Sequence, residues 1–233
     1  MAGMFPAEAD SSAIGAAADP APSARRRETR NRLLDAAAEV FTEEGLQGAT
    51  VEQVCSRAGF SRGAFYSNFS SKEELFLATL QHQYELRAAQ LTRRAEELIP
   101  DLQSCSEPLR PAEVAGYVQE FLAPVDAESA WFALETEFML LAMRDPELAP
   151  PGFAGFLDAL KGDLAEVVEK LVDAAGRRFV LPVERALAVF DGLYDRAARL
   201  AAISGGAASE GSEELGDRIT ELLFVITEEA QGE

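Results

Sequence analysis

The chain has 233 residues, 48% of them hydrophobic. That is enough for one large domain, or a small one joined to a larger one, and no apolar run approaches the roughly 18 to 20 residues needed to cross a bilayer. One histidine, His82, and two cysteines, Cys55 and Cys105, leave no His/Cys metal spacing and no disulfide framework, so no metal, no cofactor and no catalytic residue is expected.

The net charge of −19 argues at first against a nucleic-acid partner. Its distribution reverses that reading. Eight Lys or Arg and six Asp or Glu fall between Arg25 and Lys72, against 13 and 34 elsewhere, so a mildly basic end sits on an acidic body.

Residues 1–24 are mostly Ala, Pro, Ser and Asp, and a disordered tail is expected. They lack the basic leader and continuous apolar segment of a signal peptide, which makes the cytoplasm the expected location. Arg25, Arg26, Arg27, Arg30 and Arg32 then lead into a helix whose buried face is Leu33, Leu34, Ala37, Ala38 and Phe41. Gly45 is placed to end it, with Leu46 making the apolar contact that accompanies such a stop.

Thr50 followed by Gln53 is a capping box that opens a second helix, with Val51, Val54, Cys55 and Ala58 on its apolar face. Gly59 breaks that helix, and Ser61 is placed to cap a third from Arg62 to about Phe69, with Phe65 and Phe69 on the inner side. Ser71 and Glu74 form another capping box, opening a long helix to about Leu98. Two short helices across a tight turn make a helix-turn-helix, the shape that delivers a short helix to the DNA major groove.

With the two phenylalanines inward, Arg62, Tyr66, Ser67 and Asn68 face outward. Arginine reads guanine, asparagine reads adenine, and tyrosine or serine reaches phosphate. Gly63 and Ala64 are small enough for close approach, and Lys72, Arg27 and Thr50 complete the expected DNA-facing set. Structural roles compete: Tyr66 packing on a neighbouring helix, Asn68 closing the end of its own.

Ala58, Gly59, Phe60, Ser61, Gly63, Phe65, Tyr66, Asn68, Phe69, Ser71, Lys72, Glu73 and Leu75 together resemble the DNA-binding domain of the tetracycline-repressor (TetR/AcrR) family. Asn68 stands where a histidine is commonest. The resemblance covers about residues 25–75. It implies an all-α fold in three parts: the tail 1–24, a helix-turn-helix domain over 25–72, and a larger helical effector-binding and dimerisation domain over 73–233. It also implies double-stranded palindromic operator DNA and a second copy of the chain as partners, with release by a small molecule.

Beyond residue 100 the signals are generic. Pro100, Pro108 and Pro111 read as a break before a helix from Ala112 to Leu122, followed by a helix from Glu128 to Met143 rich in large apolar groups. Arg144 to Leu148 reads as a turn with Asp145 capping and Pro146 at the first helical position. Past a proline-rich join at 149–152, a helix runs to about Gly176, another from Val183 to about Ile203, and a last one carries Leu215 to Ile226. Ser204 to Ser212 reads as a flexible loop.

The family pairs its last two helices across a two-fold axis, which here implies an interface of Phe190, Tyr194, Ala197, Leu215, Ile219, Leu222, Leu223 and Ile226. It also implies an effector pocket, for which Tyr117, Trp131, Phe138, Met139, Phe153, Phe156 and Phe190 are the large side chains available. The scarcity of basic residues over 111–176 favours a neutral or cationic hydrophobic effector, with Glu135 and Glu137 as candidate counter-charges. Two other classes stand beside this reading. One is a thiol redox regulator using Cys55 or Cys105. The other is a small serine hydrolase, because Gly59 to Gly63 matches a G-x-S-x-G elbow at Ser61, though without the strand and histidine such a site needs.

Overall fold

The computed structural model describes residues 24–105, 107–122, 128–145, 152–203 and 208–230. Among them the fold is all-α apart from one small strand pair. The elements are α1 (Ala24–Gly48), α2 (Val51–Ala58), α3 (Arg62–Tyr66), α4 (Lys72–Ser104), α5 (Pro111–Phe121), α6 (Glu128–Arg144), α7 (Phe153–Ala174), β1 (Arg177–Phe179), α8 (Val183–Ile203), α9 (Ala208–Ile226) and β2 (Thr227–Glu229). No helix of the described residues is long and apolar enough to cross a membrane.

Gly45 interrupts α1 with φ 68° and ψ 169°, a backbone that suits glycine. One more turn follows, closed by the Ala49 amide donating to the Gly45 carbonyl at 3.0 Å. The third helix ends at Tyr66, three residues before the expected Phe69. The reason is local: Ser67 Oγ and Asn68 Nδ2 each donate to the Ala64 carbonyl at 2.8 Å and occupy the acceptor that a further turn would use.

The break expected at Pro100 does not occur, and α4 continues through it to Ser104. Proline removes one donor, while Leu98 and Leu102, a turn apart, are both buried and hold the helix to the body. The last helix begins at Ala208, inside the stretch read as a loop. The expected tail up to residue 23, the Pro146 turn and residues 204–207 lie outside the described set.

The strand pair was not foreseen. Gly176 at φ 70° turns the chain out of α7, and β1 runs antiparallel to β2 with Arg178 opposite Glu228. Arg178 ion-pairs with Glu228 at 2.6 Å, and Arg177 donates to the Thr227 side chain and carbonyl at 2.8 and 3.0 Å. This clasp ties the end of α7 to the end of α9.

Phe41, Phe65, Phe69, Phe76, Leu33, Leu75 and Leu80 form a fully buried centre for α1 to α4. Leu134 and Phe138 of α6 and Phe153 of α7 belong to the same cluster. The core of the N-terminal head therefore draws on helices far beyond residue 72.

Candidate nucleic-acid interface

Each short helix of the head is held at both ends by its own sequence. Thr50 Oγ1 accepts from the Gln53 amide at 3.2 Å while the Gln53 side chain accepts from the Thr50 amide at 2.8 Å. Gly59, at φ 72°, turns the chain out of α2 in the left-handed conformation. Ser61 Oγ accepts from the Ala64 amide at 3.3 Å and starts α3. Ser61 thus caps a helix that follows a helix, not a strand.

Phe65 and Phe69 are 0% and 1% exposed, which fixes the inner face of α3. Tyr66, on the opposite side, is 53% exposed. Arg62 lies over its ring at 5.9 Å and pairs with Glu52 of α2 at 2.7 Å, a fully accessible ion pair that a phosphate or base edge can displace. Gly63 is exposed, and a Cβ built there meets nothing nearer than Ser61 Oγ at 3.6 Å, so the backbone of α3 is open to close approach.

Other members of the expected DNA-facing set have inward duties. Ser67, the C-cap of α3, and Asn68 just beyond it direct side-chain donors to the Ala64 carbonyl, and an adenine contact requires the Asn68 amide to let go. Lys72 Nζ donates to the Ala49 carbonyl at 2.9 Å and to that of Gln47 at 3.5 Å, tying α4 to the turn before α2. An ammonium has three donors, and these two bonds already restrict its reach toward phosphate.

The arginines of α1 do similar work. Arg26 donates to the Ser67 carbonyl, Arg30 to that of Asn68 and Arg32 to that of Ala58, at 3.2, 3.3 and 2.8 Å. These are cations on helix C-termini, favoured by the helix dipole. Arg30 also stacks on Phe69 at 4.3 Å and Arg32 on Phe60 at 4.6 Å. Arg27 and Thr50 are exposed, and Ala64 is partly buried.

At the start of α4 the Ser71 cap is present, with Oγ accepting from the Glu74 amide at 3.1 Å. The Glu74 carboxylate, however, receives the Ser70 amide and hydroxyl, at 2.7 and 2.5 Å. Those two bonds hold its carboxyl below the usual range. A depressed carboxylate stabilises the fold above its unfolded pKa, and the contribution vanishes as pH falls through the lower folded value. Glu74→Gln is therefore expected to lower the melting temperature at pH 7, with the gap to the parent closing as pH falls below the ordinary carboxylate range.

A cavity of about 590 Å³ lies between α4, α5, α7, α8 and α9. Tyr117 and Phe190 are among the residues that line it. Phe138, Phe153 and Phe156 do not. They stack in sequence at 5.0 and 6.0 Å, with Phe138 and Phe153 buried in the core of the head and Phe156 packed against it. Met139 is 55% exposed, and the side chain of Trp131 is outside the described set.

Several residues expected at a dimer interface face inward instead. Tyr194, Ile219 and Leu223 line the cavity, and Leu215 and Ile219 are buried because α9 packs on α5. The approach is so close that a Cβ on Gly216 would meet Gln119 Cγ at 2.8 Å. Ala197, Leu222 and Ile226 are partly buried. The apolar side chains left facing out on these two helices include Val189, Leu200 and Val225, 50%, 50% and 75% exposed.

Glu135 and Glu137 do not line the cavity either. Glu135 accepts the Tyr84 hydroxyl of α4 at 2.7 Å, and Glu137 accepts the Leu46 amide of α1 at 2.7 Å. Burial raises the Glu135 carboxyl and the Tyr84 hydroxyl above their ordinary ranges, and each is raised further by neighbouring Asp191 and Asp195. Of the two thiols, Cys55 is buried and its pKa is pushed up by that burial, while Cys105 is exposed.

Residues 33–79 match the family described as bacterial regulatory proteins, tetR family. TtgW, an HTH-type transcriptional regulator of Pseudomonas putida, is 45% identical over 67 residues, 28% of this chain and 50% of that protein. UidR, an HTH-type transcriptional regulator of Escherichia coli, is 30% identical over 122 residues, 52% of this chain and 55% of that protein. The matches thus span about half the length of these relatives. A crystal structure of a tetR-family transcriptional regulator from Mesorhizobium loti superposes with a TM-score of 0.64 at 20% identity, covering 86% of this chain and 98% of that one, and so shares the fold.

Proposed function

We propose that this chain, whose residues 33–79 match the tetR family of bacterial regulatory proteins, is a dimeric transcriptional regulator that binds a palindromic operator through α3. A small hydrophobic effector, neutral or cationic, releases it. The observation that carries the reading is the division of residues 62–69 into a buried side, Phe65 of α3 and Phe69 just beyond it, and an open side of Arg62, Gly63 and Tyr66. A rigid short helix with one accessible polar edge and a small residue beside it is what the major groove admits.

One such edge reads a half-site. Two, carried about 34 to 36 Å apart by a symmetric dimer, meet successive grooves. Val189 and Leu200 are eleven residues apart, three helical turns, and therefore lie on one stripe of α8. With Val225 they support pairing through the outer side of the last two helices. The effector occupies the apolar cavity and binds one dimer geometry better than the other, which shifts the population away from the groove spacing. The domain division at residues 72 and 73 is a division of roles.

Duplexes selected from a random pool by the full chain provide the test. Arg62→Ala with Tyr66→Ala is expected to weaken binding to the selected duplex by about tenfold or more while leaving the melting temperature close to the parent. Adding Lys72→Ala is expected to lower both, since Lys72 also holds Ala49 and Gln47. Unchanged affinity in the triple variant overturns the assignment of α3.

A further inference from the structure

The turn between α1 and α2 decides how the recognition helix is presented, and it is gripped from outside the head. At Gly45 the backbone leaves the helical path, and the amide of the next residue, Leu46, donates to a side chain outside its own helix. Leu46 is only 2% exposed, so water is a poor substitute, and an unpaired buried donor is costly. Glu137, 91 residues away on α6, supplies the acceptor at 2.7 Å.

The approach depends on the glycine twice over, for its positive φ and because a Cβ there would sit 3.3 Å from Glu137 Oε1. From the other side, Lys72 holds the Gln47 and Ala49 carbonyls. Residues 45–50 are therefore clamped between α6 and α4, and Thr50 starts α2 directly after them.

The same short piece of α6 also touches the surroundings of the cavity. Glu135 and Glu137 are two positions apart, about 200° around the helix, and so leave it on nearly opposite sides. Glu135 accepts the Tyr84 hydroxyl and feels the charges of Arg87 and Asp191, both of which line the cavity. Leu134 and Phe138, 0% and 6% exposed, seat this piece in the head. Displacement beside the cavity and displacement at the turn are thus displacements of one rigid helical segment.

We propose that Glu137 is a positioning residue for DNA recognition. Its carboxylate sets the angle of α2 and α3 to the body, and the α6 segment carrying Glu135 and Glu137 transmits cavity occupancy to that angle. This rests on the regulator reading above and names the contact through which that site is regulated.

The experiment measures the binding of parent, Glu137→Gln and Glu137→Ala full chains to the duplex the parent selects, and to versions with the half-sites moved by one and two base pairs. Hydrogen exchange at the Leu46 amide and melting temperature are read alongside. Ala165→Gly, buried in α7 away from both the turn and the cavity lining, serves as a control that destabilises without touching α6. The parent is expected to prefer its own spacing. Glu137→Ala is expected to erode that preference by about 2-fold to 30-fold and to speed Leu46 exchange. Glu137→Gln, which keeps an acceptor oxygen, falls between, and Ala165→Gly leaves the preference intact.

A spacing preference that survives in Glu137→Ala, or that Ala165→Gly erodes equally, overturns the role of Glu137 and leaves the regulator reading standing. A parent chain that selects no palindromic duplex overturns both.

Discussion

Phe65→Ala is expected to destabilise the protein by about 3 to 5 kcal/mol, the range for removing a buried aromatic ring, and to abolish selective DNA binding at temperatures where the fold survives. Phe65 is 0% exposed and is the fourth residue of a helix of only five. A helix that short has no stability of its own. It exists because Phe65 packs edge-on against Tyr66 at 5.0 Å and beside Phe69 at 5.9 Å, inside the cluster formed by α1 and α4. Emptying that position loosens the one element whose orientation the groove reads. The Arg62 and Tyr66 substitutions act differently, since they remove only the exposed side chains proposed to meet DNA and leave the buried scaffold. Urea unfolding paired with duplex titration separates the two: Phe65→Ala shifts both, and the surface pair shifts binding alone. A Phe65→Ala chain that melts within about 1 kcal/mol of the parent refutes the packing argument.

The contrast explains which parts of the molecule were legible in the sequence. Thr50 with Gln53, the Gly59 stop, the Ser61 cap and the inward pair Phe65 and Phe69 are all decided within about four residues of chain, and local chemistry is what a sequence displays. The destinations of the α1 arginines were not legible. Whether Arg26, Arg30 and Arg32 meet phosphate or helix ends depends on residues 26 to 41 positions away.

The same limit governs the body. Tyr117, Phe138 and Phe153 are large apolar side chains on amphipathic helices, and nothing in their spacing separates a ring that lines a cavity from one that fills a core. Only the packing of α6 and α7 on the head puts Phe138 and Phe153 in the core and leaves Tyr117 at the cavity. Arg177 and Thr227, 50 residues apart, show it again: three-residue strands carry too little pattern to be recognised before they pair. Glu137 was noticed as a charge, but its partner is a backbone amide exposed by a kink, and a backbone donor has no residue signature.

The packing of α6 on the head leads to the second large effect. Leu134→Ala is expected to cost about 2 to 5 kcal/mol and to lower the stability of the DNA-reading head as much as that of the body. Leu134 is 0% exposed and shares a cluster with Leu33, Phe41, Phe76 and Leu80. If residues 25–72 were an independent folding unit, a substitution 62 residues beyond its end would leave it untouched. Here the unit lacks part of its own core without α6, and the Leu46 amide lacks its acceptor. Hydrogen exchange can follow head amides such as Phe65 and body amides such as Val168 in the same sample. Both sets are expected to lose protection together in Leu134→Ala, because opening the shared core exposes both sides of it. If the head amides keep their protection while the body loses its own, head and body fold separately, and the rigid coupling attributed to α6 fails with them.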